Sequence, residues 1–68
     1  MDLENIFTYH APNEVQVKQY IAIRKAGLEL VKAIVAFVPE GADQSAAIRK
    51  VREAVMTANA GIALEGKL

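Results

Sequence analysis

The sequence predicts an all-α protein: a short N-terminal arm, then a long antiparallel two-helix hairpin, assembled as a homo-oligomer. Three observations predict it. Punctuation divides the 68 residues into an arm ending at Pro12 and two long segments parted by Pro39 and Gly41. Neither long segment alternates with period two, as a half-buried strand would. The first long segment is apolar around roughly two thirds of its circumference, where a surface helix needs a single stripe.

The elements follow in order. The arm, residues 1–12, has room for one helical turn around Asp2 to Ile6. Asn13 suits the N-cap and Glu14 the first turn of a long helix over 13–38. Pro39 and Gly41 break it. Asp43 or Ser45 is the expected cap of a second long helix over 43–64, with Gly66 just beyond. A connection this short makes the two helices antiparallel neighbours. With no repeat, low-complexity tract or linker, residues 1–68 read as a single helical-hairpin domain.

The helix faces say more. Val17, Ile21, Arg24, Leu28, Val31, Val35 and Val38 follow alternating steps of four and three, a coiled-coil seam with one charged member. A second seam, Tyr20, Ile23, Gly27, Leu30, Ile34 and Phe37, lies beside it. The later helix offers one ordinary seam, Ile48, Val51, Val55, Ala58 and Ile62, flanked by small residues at Ala47, Ala54 and Gly61. One helix cannot cover two seams of its neighbour. Either other chains cover the surplus or the arm folds back over it. The arm brings just Leu3, Ile6 and Phe7 as cover, which favours other chains.

Size and charge narrow the function. A chain this small buries only about 60% of its unfolded surface and usually needs disulfides, metal or association. Cysteine is absent, which excludes disulfides and thiolate metal sites as supports, and with His10 the one histidine neither a zinc site nor a cofactor is expected. Eight basic and eight acidic residues cancel, which disfavours a nucleic-acid polymer as partner. Asp2 and Glu4 directly after Met1 make a poor secretory signal, and the apolar run Ala33 to Val38 is too short to span a bilayer. A soluble cytoplasmic protein with no membrane partner is expected.

Five residues invite a functional reading. Arg24 interrupts an apolar seam, and a buried charge costs several kcal/mol unless paired. It either snorkels, pairs with a carboxylate such as Glu53, or meets an anion in a crevice between chains, where a guanidinium suits phosphate and stacks on bases. Tyr9 is either an anchor that packs the arm down or a platform for a planar ligand, stacking being worth about 1–3 kcal/mol per base. Phe7 is the better core anchor of the two. His10 has no partner at metal or triad spacing and reads as a hydrogen-bonding residue at the solvent edge. Asn59, among alanines, reads as a polar group that fixes register. No nucleophile–base pair, Gly-rich phosphate loop or carboxylate pair is present, so catalysis is not expected.

"FTYHAP" at 7–12, "YIAIRKA" at 20–26 and "EAVMTANAGIA" at 53–63, with a Pro-containing turn between the last two, resemble the phage anti-CBASS cyclic-oligonucleotide sponges, a family of small helical-hairpin proteins. The resemblance covers nearly the whole length. It implies a homohexamer, a trimer of dimers, that sequesters cyclic di- and trinucleotide immune messengers without degrading them, in the cytoplasm of the bacterial host. It assigns base stacking to Tyr9 and a base or phosphate contact to Arg24, with Lys25 as the neighbouring basic group; Phe7, Thr8 and His10, the arm residues beside Tyr9, are further ligand-binding candidates. Two departures stand out. Thr57 occupies a position where relatives often carry Trp, a packing change. Leu64 replaces an arginine that looks like an anion contact, so binding of trinucleotides is left open. The rival readings are an oligomeric adaptor or inhibitor that binds protein through its helix faces, and an enzyme that clears such nucleotides.

Overall fold

A computed structural model describes residues 2–66. They form three helices: α1, Leu3–Phe7; α2, Glu14–Phe37; and α3, Ala42–Ala63. No strand occurs among the described residues. The two long helices pack as an antiparallel hairpin, while the α1 backbone makes no close approach to either. The molecule is slender, 42 × 25 × 15 Å.

The caps explain the boundaries. Asp2 accepts from the Asn5 backbone N–H (3.1 Å) and starts the turn expected in the arm. Asn13 accepts from the Gln16 N–H (2.8 Å), and the Gln16 side chain accepts from the Asn13 N–H (3.1 Å), a complete capping box. The start of α3 departs from expectation. Neither Asp43 nor Ser45 caps it: the helix begins at Ala42 with Gly41 at the N-cap and no side-chain bond there. Ser45 N–H already donates to the Gly41 carbonyl (3.1 Å), which places Ser45 inside the helix. Gly41 has φ 157° and ψ −166°, a region open essentially to glycine alone, so the tight turn after Pro39 sets the start instead of a side chain. At the other end Gly66 (φ 75°) returns its N–H to the Gly61 carbonyl (3.0 Å).

Two glutamines tie the hairpin at both ends. Gln16 Nε2 donates to the Ile62 carbonyl (3.2 Å), and Gln44 Nε2 donates to the Val38 carbonyl (3.1 Å). Between them the helices pack tightly at Gly27, where an added Cβ would lie 2.7 Å from Val55 Cγ2.

The packed stripe on α2 is Tyr20, Ile23, Gly27, Val31, Ile34 and Val38, drawn from both expected seams. Five steps span eighteen residues, the 3.6 period of a straight helix. The expected seams kept a 3.5 period, and the 3.6 helix drifts across such a seam by about 20° per heptad. On α3 the stripe is Ile48, Val51, Val55, Asn59 and Ile62: Asn59 takes the place expected of Ala58, which is exposed. Its Oδ1 is buried without a hydrogen-bond partner among the described residues.

None of the described residues is fully buried. Val17, Ile21, Leu28 and Val35 stay exposed along one flank of α2, and Leu30 and Phe37 along the other. The arm covers neither flank; its own Leu3 and Phe7 are exposed. Phe7 is therefore no core anchor within one chain. It ends α1 facing outward, with its ring 86% exposed.

Candidate functional site

The arm is held by its polar residues and leaves its aromatics free. Thr8 caps α1 with its backbone N–H on the Asn5 carbonyl (3.4 Å), and its hydroxyl donates to the Glu4 carbonyl. His10 Nε2 lies 2.7 Å from that same Asn5 carbonyl. A carbonyl can only accept, so Nε2 is the protonated nitrogen. His10 also lines a small hollow with Asn5, Ala63, Leu64 and Glu65, which seats the arm beside the end of α3. The backbone after Phe7 is extended (Thr8 φ −87°, ψ 140°), so alternate side chains turn opposite ways. Thr8 and His10 satisfy the arm, and Phe7 and Tyr9 project into solvent. The Tyr9 ring is 84% exposed, so it does not anchor the arm within its own chain.

Arg24 stands in the middle of the exposed flank of α2. It is exposed, and among the described residues no carboxylate pairs with it; the ion pair found is Lys32–Glu29 at 3.5 Å. The expected alternative partner, Glu53, does not reach it. Arg24 lines two adjoining hollows. One is a groove of about 290 Å³ between the long helices, walled by Leu28, Val31, Val55 and Met56 and rimmed by Arg24 and Arg52. The other holds Ile21, Arg24, Lys25 and Leu28 on α2 alone. Arg24 and Lys25 are thus brought together. Tyr9 is not brought to them: it lines neither hollow, and Arg24 rises about 15 Å along α2 from Glu14 at 1.5 Å per residue.

Sequence reasoning missed Arg52 and Met56 as groove residues. The available signal was their i, i+4 spacing on α3, matching Arg24 and Leu28 on α2. Among the described residues no cluster of His, Asp and Glu could hold a metal ion, and no helix is long and apolar enough to cross a membrane.

Residues 1–63 match the Acb2/Tad1 hairpin domain. The chain belongs to that family, the phage anti-CBASS cyclic nucleotide sponges. The match takes in the arm motif, the Arg24 segment of α2 and nearly all of α3. No curated protein and no solved structure matches the chain. Membership implies anti-CBASS cyclic nucleotide sequestration in general, by binding proteins not known as enzymes, with cyclic oligonucleotides as partners.

Proposed function

We propose that this chain binds and sequesters cyclic di- and trinucleotide immune messengers without breaking them, as a homo-oligomer of hexameric, trimer-of-dimers form. The observation that carries the reading is the family match over 63 of the 68 residues.

The surface supports association. A compact monomer of 7.4 kDa exposes about 4,200 Å² by the usual scaling. This chain exposes 5536 Å². The surplus is about 1,300 Å², more than the roughly 800 Å² that one partner contributes to a standard interface. The Val17–Val35 and Leu30–Phe37 flanks of α2 are the exposed apolar surface that a second hairpin would cover.

Association also supplies the missing geometry. Within one chain Tyr9 and Arg24 occupy different parts of the hairpin. Across a two-fold axis, the Tyr9 ring of one chain meets the Arg24 and Lys25 hollow of another, twice. A cyclic dinucleotide is itself nearly two-fold symmetric and presents two bases and two phosphates. In this arrangement the paired Tyr9 rings stack on the bases and the cations answer the charge. Phe7 widens the aromatic platform, while Thr8 and His10 hold the arm at the angle that presents Tyr9. Tight binding without nucleophile, base or metal leaves the ligand intact, as sequestration requires.

The second reading, a helical adaptor or inhibitor that binds protein, is favoured by the same exposed flanks. A thermal-shift panel of cyclic di- and trinucleotides separates the two, because ligand that binds only the native state raises its melting temperature. Sequestration predicts a dose-dependent rise with at least one 3′,3′-linked cyclic dinucleotide. No rise with any member of the panel leaves the protein-binding module.

A further inference from the structure

The groove between the long helices carries more charge than the Arg24 site requires. Arg52, on α3, rims it opposite Arg24, and no acidic residue lines it. The antiparallel register puts Gln16 beside Ile62 and Gly27 against Val55 and Val51, so Arg24 and Arg52 belong to neighbouring turns across the groove. Arg52 is exposed, and among the described residues no carboxylate pairs with it. Leu28 and Met56 line the same groove and are exposed. The Lys25 hollow joins the groove through Arg24 and Leu28. In a chain with a formal net charge of +0, Arg24, Lys25 and Arg52 are thus gathered on one apolar-floored concavity without an acid.

Such an arrangement is built to receive an anion. Low-dielectric walls focus the field of the flanking cations, and water screens their mutual repulsion while the groove is open. An anionic group placed between them gains charge-assisted, fork-shaped hydrogen bonds from both. Half of a cyclic dinucleotide offers two groups that suit a guanidinium, one phosphate and one purine edge.

We propose that Arg52 is a second anion-binding side chain of the cyclic-nucleotide site, meeting the phosphate of a half-ligand whose other contact is Arg24. This rests on the sequestration reading above. It adds α3 to a site otherwise confined to the arm and α2, and gives the groove wall of Leu28 and Met56 an apolar contact with the ligand.

Calorimetry of the full chain with 3′,3′-cyclic GMP–AMP tests it, comparing the wild type with Arg24→Gln, Arg52→Gln and Arg52→Lys. Arg52→Gln weakens binding tenfold or more and flattens its dependence on salt, because one charge contact is lost. Arg52→Lys, which keeps the charge without the fork, falls between it and the wild type. Melting temperature without ligand and mass by light scattering stay at wild-type values for both, since the Arg52 side chain makes no hydrogen bond or ion pair among the described residues. Arg52→Gln binding within twofold of wild type, while Arg24→Gln is weakened, overturns the role of Arg52 and leaves the sequestration reading standing. No binding by the wild type, with this ligand or its two symmetric homologues cyclic di-GMP and cyclic di-AMP, overturns both.

Discussion

Replacing Gly27 with alanine tests whether the hairpin packs as described. The new Cβ would sit 2.7 Å from Val55 Cγ2 and 3.8 Å from Val51 Cγ1. Carbon atoms rest about 3.5–4.0 Å apart, so the first contact overlaps by about 1 Å. Val55 is β-branched and held to one favoured rotamer in a helix, so it cannot turn aside cheaply. The helices must part, and overpacking of this kind costs about 1–3 kcal/mol. Against that, alanine gains about 1 kcal/mol over glycine in helix propensity. Gly61 supplies the control: it is helical, and its added Cβ meets nothing within 4 Å. Gly61→Ala therefore takes the propensity gain without the clash, and the gain cancels between the two variants. The difference between them is the clash alone, about 1–3 kcal/mol, or roughly 4–24 °C in melting temperature for a chain of this size. Thermal melts by circular dichroism at one protein concentration read it directly. Gly27→Ala melting at or above Gly61→Ala would refute the close crossing at Gly27.

Other perturbations follow from the same geometry. Gln16→Ala removes the side-chain half of the capping box and the tie to Ile62, and should lower stability by about 1–3 kcal/mol in denaturant titration; an unmoved midpoint would mean that neither bond holds in solution. Leu30→Glu charges an exposed flank of α2 and should lower the mass seen by light scattering; an unchanged mass and melt would leave Leu30 a plain surface residue. Tyr9→Ala should leave ligand-free stability within about 0.5 kcal/mol, because the ring is exposed in the hairpin. It should nevertheless weaken dinucleotide binding by about 2–6 kcal/mol through two lost stacking contacts, carrying a nanomolar site to between roughly tens of nanomolar and tens of micromolar. Collapse of the oligomer in Tyr9→Ala would return the ring to an anchoring role.

The hairpin was legible where local chemistry and long-range packing agree. Asn13 caps α2 as its residue type and position predict, and the Pro39–Gly41 break separates the helices as read. Where a boundary depends on backbone alone the reading failed: Gly41 starts α3 by its conformation, and Asp43 and Ser45, good caps by type, sit inside the helix. The seams were legible as excess apolar surface but not as a packed stripe. Which of two adjacent seams faces α3 depends on helix rotation and on the drift between 3.5 and 3.6 residues per turn, and from Val31 onward the stripe draws on both seams in turn. The arm motif was legible as a motif. Its division into Thr8 and His10, bonded back to the arm, and Phe7 and Tyr9, left free, follows from a bond network around the Asn5 carbonyl, five residues before His10, which no composition signal reveals. Arg52 escaped because a groove residue is defined by two helices at once, and the pattern along α3 alone shows an ordinary surface arginine.

Recovery of intact ligand tests the central claim most directly. The protein is mixed with a 3′,3′-linked cyclic dinucleotide at a modest excess of sites, the free fraction is separated by ultrafiltration, and the retained complex is heated to unfold the protein. Sequestration predicts that the free ligand is depleted before heating and that the full amount returns, chemically unchanged, after it. Ligand left free in the filtrate would contradict binding, and linear or hydrolysed product in the heated fraction would contradict sequestration without breakage.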